Sequence, residues 1–377
     1  MFEEGAKLKA QYGAENVFDF SLGNPDLAPP PQFYEVMQQR ANDHSPGVHA
    51  YMPNNGYAFV RQAIAARMSK EQEITVNPDD MLMSCGAAGG LNVVMKSILN
   101  PGEEVILLAP YFVEYNFYID NHSGVSKIVQ TDAEFNLDLP AIEKALTEKT
   151  KAIIINSPNN PTGQIYSQES LKSLGSLLEQ AGKKFGTTIY LISDEPYRKI
   201  IFDGHTVPSI FTAYSNAIIV SSYSKDLSLP GERIGYMALH PDIADKRILL
   251  AALNLANRIL GFVNAPALMQ RVVAELQDAS VDNSIYAKRK DVFCRILQDA
   301  GYTFNPPKGA FYIFVKTPIT DDVQFCSILQ EERILAVPGQ GFGAPGYIRL
   351  VFCVPESVIS GSAEGFAKAM AKAKNLA

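Results

Sequence analysis

Residues 150–163 read TKAIIINSPNNPTG, and this stretch decides the fold. An apolar core, Ala152–Ile155, stops abruptly at a cluster of Asn, Ser and Pro. A short run rich in Ile and lacking polar alternation predicts a strand buried on both faces. Helical patterns flank it at Leu139–Leu146 and Gln168–Lys184. The same unit recurs in both directions along the chain. Apolar runs at Met81–Ser84, Glu104–Leu108, Ile189–Ser193, Ala217–Ser221 and Ile234–Leu239 accompany helical patterns at Tyr57–Gln72 and Ala88–Leu99. Strands separated by helices predict an α/β fold, with a mostly parallel mixed sheet flanked by helices.

From about residue 242 helices dominate, at Asp242–Arg258, Pro266–Leu276 and Ile285–Ala300. An α+β tail follows, with strands at Ala310–Val315 and Tyr347–Val351 and helices near 322–332 and 356–373. The expected division is a large domain over 31–280 and a smaller α+β domain formed by 1–30 and 281–377. Their cleft is the natural place for a ligand.

Composition narrows the function classes. The 377 residues carry 33 Lys plus Arg against 40 Asp plus Glu, a net charge of −7. A nucleic-acid-binding protein usually shows a basic surface, so that class is disfavoured, although a small basic pocket for a phosphate remains compatible. The four cysteines lie far apart with no CxxC, and the five histidines show no HxxxH spacing. Neither a disulfide scaffold nor a metal site is expected. The N-terminal MFEEGAKLKAQYG lacks an apolar h-region, and no stretch reaches the 18 apolar residues of a membrane span. A soluble cytoplasmic protein is expected, with no membrane partner.

In open parallel sheets ligands bind beyond the carboxyl ends of the strands, so the residues that follow the apolar runs come first. Five runs end in conspicuous ones: Cys85 to Gly90, Pro110-Tyr111-Phe112, Asn156 to Gly163, Asp194 to Tyr197, and Ser222 to Lys225. Strands of one sheet can bring all five to one place. Ser222, Ser224 and Arg233 together suit a phosphate dianion, to which Arg offers a bidentate fork. Lys225 is then free for amine chemistry, because a lowered pKa makes a lysine a nucleophile able to form a Schiff base. Gly86-Ala87-Ala88 opens a helix whose free N–H groups and small side chains also favour a phosphate. It is not GxGxxG, and no acidic residue follows at the ribose-binding distance, which disfavours a nicotinamide dehydrogenase. Asp194 ends a buried strand, where an unpaired carboxylate is costly, so it needs a cation or several donors. Taken singly, each motif also reads as an ordinary turn, cap or ion pair.

Together the motifs resemble a family. SLGNPD (21–26), NSPNNPTG (156–163), DEPY (194–197), SSYSK (221–225) with Arg233, and YIRL (347–350) occur in this order from about residue 18 to 370. The sequence resembles the pyridoxal-phosphate-dependent aminotransferases of class I/II, the aspartate aminotransferase superfamily of fold type I. The resemblance implies that Lys225 holds pyridoxal 5'-phosphate as a Schiff base and later moves the substrate's Cα proton. It implies that Asp194 pairs with the pyridine nitrogen, and that Asn160 and Tyr197 hydrogen-bond the ring 3'-oxygen. The phosphate then rests on the N–H groups of Ala87 and Ala88 with Ser222, Ser224 and Arg233, and Phe112 stacks on the ring. Tyr51 reaches the phosphate from a neighbouring subunit, which implies a homodimer with shared active sites. Arg349 forks onto the substrate α-carboxylate, with Gly23 and Asn160 beside it.

The reaction implied is a ping-pong transfer of an amino group between an L-amino acid and a 2-oxo acid, with 2-oxoglutarate the expected acceptor. A carbon–sulfur β-lyase would use the same cofactor and motifs. A non-catalytic sensor domain is the reading from another class; such relatives carry an N-terminal DNA-binding segment, and here SLGNPD begins at residue 21. For a dicarboxylic substrate some relatives supply a distal Arg from the region aligning with Leu255 to Asn264. Arg258 lies there, about one residue out of register, in an otherwise apolar or amide stretch. An apolar or small substrate side chain and a dicarboxylate both remain open. Pro161, Thr162 and Gly163 are expected to shape the turn that aims Asn160, and PPKGAFY (306–312) and VPGQGFG (337–343) to shape the small domain.

Overall fold

The protein is described by a computed structural model over residues 2–375. A seven-stranded sheet runs in the order Met81–Ser84, Gly235–Leu239, Ala217–Ser222, Tyr190–Asp194, Thr150–Asn156, Glu104–Ala109, Val125–Gln130. Gly235–Leu239 pairs antiparallel with both neighbours, and the other pairs are parallel. Six strands therefore point the same way, and the seventh starts at the edge where they end. The register aligns those ends: Asn156 sits opposite Asp194, and Ser84 and Ser222 both sit opposite Gly235.

The all-apolar strands follow from burial on both faces. Ile153 and Ile155 enter one core with Ile106, Leu191 and Ile219. Ala152 and Ile154 enter the opposite core with Leu107, Ile192 and Val220. A third core packs the four-stranded antiparallel sheet around Tyr312–Lys316 and Tyr347–Val351 against the helices Asn283–Asp299 and Ala363–Lys374. Phe18–Asp19, early in the chain, pairs parallel with Ile334–Leu335, which ties the N-terminal segment to this layer. No helix among the described residues is long and apolar enough to cross a membrane.

Several elements differ from the sequence reading. The edge strand Val125–Gln130 went unforeseen because, open on one side, it is only partly buried and carries Ser126 and Lys127 within its apolar run. Phe2–Tyr12, Pro31–Ala41 and Glu114–Asp120 are helices that the apolar periodicity did not mark. The helix expected from Asp242 starts at Lys246, since Asp245 takes a left-handed φ of 51°. Likewise Ala310, at φ 57°, breaks the extended chain, and the strand begins at Tyr312. The helix expected over 356–373 is two, Glu356–Gly361 and Ala363–Lys374, joined at Ser362.

Candidate active site

The common edge of the large sheet opens on a cavity of about 420 Å³. Gly23, Ala87, Ala88, Phe112, Asn160, Asp194, Tyr197, Ser222, Ser224, Lys225, Arg233 and Arg349 all line it. Thus every run end singled out in the sequence contributes to one place, together with residues from both ends of the chain. Two of the singled-out residues lie elsewhere. Tyr51 is 90 % exposed, and Arg258 is exposed in the last turn of the helix Lys246–Ile259.

One wall has the chemistry of an anion cradle. The helix Gly86–Ile98 starts directly behind the strand Met81–Ser84, and its first-turn residues Ala87 and Ala88 face the cavity. Unpaired N–H groups and the positive end of the helix dipole favour an anion there. Gly86 has a left-handed φ of 70°, and a Cβ at this residue would lie 2.9 Å from Arg233 Nη2. Glycine therefore lets the turn form and the guanidinium sit against it. Arg233 itself, at φ 51°, closes the Pro230–Glu232 turn, and its Nη1 donates to the Pro230 carbonyl at 3.0 Å. Ser222 Oγ donates to Ser224 Oγ at 3.1 Å on the same wall.

The floor carries Asp194, fully enclosed at the end of its strand. Asn156 Nδ2 donates to the Asp194 carbonyl at 2.8 Å, and the Asn160 N–H donates to Asn156 Oδ1 at 2.7 Å. Tyr115 donates its hydroxyl to Asp194 Oδ2 at 2.7 Å, while Oδ1 is buried without a partner. Burial pushes the carboxyl up to about 7, against the lowering effect of the Tyr115 bond. An orphaned oxygen on a buried carboxylate matches a cationic N–H donor placed opposite it.

Lys225 projects across the cavity and donates from Nζ to the Gly23 carbonyl at 2.9 Å. Burial, with the Arg349 and Arg233 guanidinium groups adding to it, pushes its amine down to about 8. A substantial neutral fraction near physiological pH is what a nucleophilic or basic lysine requires.

Arg349 comes from the small sheet and is enclosed. Its Nη1 donates to Asn160 Oδ1 at 3.1 Å and its Nη2 to the Ser21 carbonyl at 2.7 Å. The guanidinium lies 4.9 Å from the ring centroids of both Tyr312 and Phe342. Nε is buried with no partner. A planar cation held between two rings, with donor capacity to spare, suits a bidentate carboxylate. Tyr197 and Tyr312 share a hydroxyl–hydroxyl bond of 2.6 Å beside it.

The sequence reading missed or undervalued four residues here. Tyr312 and Phe342 sit in segments read only as architecture, yet they hold Arg349. Asn156 ties two strand ends together, and Tyr115 bonds Asp194. The available signal was the hydroxyl or aromatic residue next to a motif; nothing local told which rings turn inward.

The family model for aminotransferase class I and II matches residues 15–364. The chain is 31 % identical to a probable aspartate aminotransferase of Methanocaldococcus jannaschii, over 89 % of this chain and 88 % of that one. It is 32 % identical to a probable aspartate/prephenate aminotransferase of Aquifex aeolicus, over 90 % and 88 %. Among solved structures, an amino transferase from Eubacterium rectale superposes with a TM-score of 0.96 at 38 % identity, covering 98 % of this chain and 94 % of that one.

Proposed function

Since the chain belongs to the class I and II aminotransferases, we propose that its cavity holds pyridoxal phosphate and transfers the amino group of an L-amino acid to 2-oxoglutarate. The observation that carries the cofactor is the orphaned, buried Asp194 Oδ1, a site with no stated use until a ring N–H⁺ faces it. The rest of the lining fits the same group. Ala87, Ala88, Ser222, Ser224 and Arg233 would take the phosphate, Asn160 and Tyr197 the ring oxygen, and Phe112 one ring face. When bound, the cofactor supplies a carbonyl carbon that accepts amines and a protonated ring that takes up electron density.

The chain's own residues do the remaining work. Arg349, fixed by Asn160 and Ser21, binds the α-carboxylate and so orients the substrate amine towards Lys225. Lys225 Nζ, neutral in part near pH 8, would take the proton from substrate Cα as general base and give it up as general acid at the carbon that the cofactor's carbonyl contributes, not back at Cα. Asp194 stays ionised once a cation faces it and keeps the ring nitrogen protonated. The burial of Asp194, Tyr197 and Arg349 excludes water from these groups. Tyr51 is assigned to the neighbouring site of a homodimer, which accounts for a tyrosine left 90 % exposed on one chain. We place the enzyme in the cytoplasm.

The relatives' names carry aspartate, and a dicarboxylic donor needs one more cation. Lys225, Arg233 and Arg349 are the only cations among the described residues lining the cavity, and each already has a role. Arg258, supplied by the partner, is the candidate for the distal carboxylate. A panel of single amino acids with 2-oxoglutarate, read by glutamate formation, tests the reading. With Arg258→Ala, KM for aspartate is expected to rise about 10-fold or more, the loss of one charge-assisted bond, while alanine is unaffected. Equal losses on both donors would contradict the role of Arg258; no glutamate from any donor would contradict transamination.

A further inference from the structure

Lys225 and Arg349 are carried by different sheets. Lys225 follows the strand Ala217–Ser222 of the large sheet, whereas Arg349 lies on the small one, directly opposite Phe314. Opposed residues share a face of a sheet, as do residues two apart on a strand. Phe314 and Tyr347 therefore flank Arg349 on its own face, and their rings stack 5.0 Å apart at 3°. Phe314 also meets Phe342 edge-on at 6.1 Å, and Phe342 covers the Arg349 guanidinium. From the large sheet, Phe135 enters this aromatic surface. It follows the edge strand Val125–Gln130, is 8 % exposed, and sets its ring edge-on against Phe314 at 5.8 Å and Tyr347 at 5.7 Å. Its φ of 65° is left-handed, an uncommon and costly state for an aromatic residue. Asp132 fastens that turn: its Oδ1 accepts from the N–H groups of Glu134 at 2.9 Å and Asn136 at 2.7 Å. Two further contacts grip the same corner. The Tyr111 N–H donates to the Phe342 carbonyl at 3.1 Å, and Gln130 Nε2 donates to the Gly343 carbonyl at 3.2 Å. Glycine permits this approach, because a Cβ on residue 343 would lie 3.0 Å from Tyr111 Cε1.

We infer that Phe135 is a positioning residue that sets the distance between Arg349 and Lys225, and with it how far a ligand's carboxylate must lie from its amine. This rests on the roles proposed above for those two residues. Asn160 and Ser21 hold the tips of the guanidinium, but its Cα moves with the strand Tyr347–Val351. Phe135 braces that strand against the large sheet through Tyr347 and Phe314. The other buried members of its cluster, Phe314, Val337, Phe342 and Ala344, all belong to the small sheet and the turn beside it. When a buried ring is removed, its neighbours relax part of the way into the space. Phe314 and Tyr347 would shift in that direction, Phe342 would follow, and the guanidinium under it would leave its place relative to Lys225. A ligand that carries an amine and no carboxylate makes no use of Arg349, so it is indifferent to the shift.

The test compares two oxyamines on holoenzyme, aminooxyacetate and methoxyamine, which share the reacting nitrogen and differ in the carboxylate. Each replaces Lys225 at the cofactor's carbonyl carbon and frees the lysine amine, and stopped-flow absorbance follows the loss of the yellow band without any turnover. Wild type is expected to react faster with aminooxyacetate. Phe135→Ala should lower that rate about 10- to 100-fold, since a misplacement of about 1 Å can cost ~100-fold, and should leave the methoxyamine rate unchanged. Phe135→Leu, which fills part of the space, should fall between. Gln130→Ala, at an exposed position, should move the ratio of the two rates in the same direction by less. Phe135 variants that keep the wild-type ratio would overturn the inference, and so would variants that lose both rates together, the mark of a general loss of structure. Thermal melting of each variant shows whether the fold is retained; if neither Phe135 variant folds, Gln130→Ala decides, and a wild-type ratio there overturns the inference. A wild-type protein that reacts equally with both would overturn the role of Arg349 and this inference with it. One that reacts with neither would overturn the cofactor reading itself.

Discussion

Lys225→Ala is expected to lower turnover by about 10²- to 10⁴-fold, the contribution of a positioned general acid–base group. The reason lies in where the amine sits. It is enclosed between the Gly23 carbonyl, Arg349 and Arg233, and its pKa is pushed down to about 8. No other lysine lines the cavity among the described residues, so no neighbour can substitute. The same shift fixes a pH dependence. Only the neutral amine can attack a carbonyl, so the rate of cofactor loading onto wild-type apoprotein should rise with pH through about 8 and then level off. Lys225→Arg should not restore activity, since a guanidinium stays protonated throughout this range. Stopped-flow loading and steady-state turnover measure both. A Lys225→Ala enzyme retaining more than a tenth of wild-type turnover would remove this lysine from the chemistry.

Asp194→Ala is expected to lower turnover by roughly 10²- to 10³-fold or somewhat more. Removing one member of a buried charge pair costs about 3–5 kcal/mol, and each 1.4 kcal/mol is a factor of ten. Asp194→Asn should lose nearly as much, because the amide keeps the shape and lacks the charge. The apoprotein offers a separate readout. In the fold the Asp194 carboxyl is raised from 3.8 to about 7, so the folded state holds its proton more tightly than the unfolded chain. Its contribution to apoprotein stability is therefore present below about pH 4 and is lost as pH rises through 7. Apo Asp194→Asn, which has no charge to bury, should gain melting temperature over the apo wild type at pH 8 but not at pH 4. Saturating cofactor should reverse the order at pH 8, since a cation then faces the carboxylate. Equal melting temperatures at both pH values would show that the buried carboxylate is not strained in the apoprotein.

Most of this site was legible because parallel sheets concentrate their chemistry at strand ends. The six apolar runs of 81–239 all became strands, and residues just past five of them line one cavity. The edge strand Val125–Gln130 was not legible for the same physical reason. Periodicity reports burial, and an edge open on one side is only partly buried. The residues that hold Arg349 were also hidden. Phe342 and Tyr312 lie 7 and 37 residues before it in sequence, and only the antiparallel pairing of Phe314 with Arg349 and of Val337 with Arg349 brings their segments around it. Tyr115 illustrates a third limit. Its place on the short helix Glu114–Asp120 follows from the turn after Glu104–Ala109, and no local pattern aims its hydroxyl at Asp194, 79 residues on.

The central claim is that Lys225 and its neighbours hold pyridoxal phosphate and exchange an amino group with it. The most direct test is the absorbance of purified protein between about 300 and 500 nm, before and after single amino acids are added without any oxo acid; a lysine-bound cofactor absorbs as a coloured Schiff base. The account predicts a yellow wild-type protein whose band one amino acid converts to a pyridoxamine-like band, and a Lys225→Ala protein that lacks the yellow band. A wild-type protein that stays colourless after incubation with excess cofactor would contradict it.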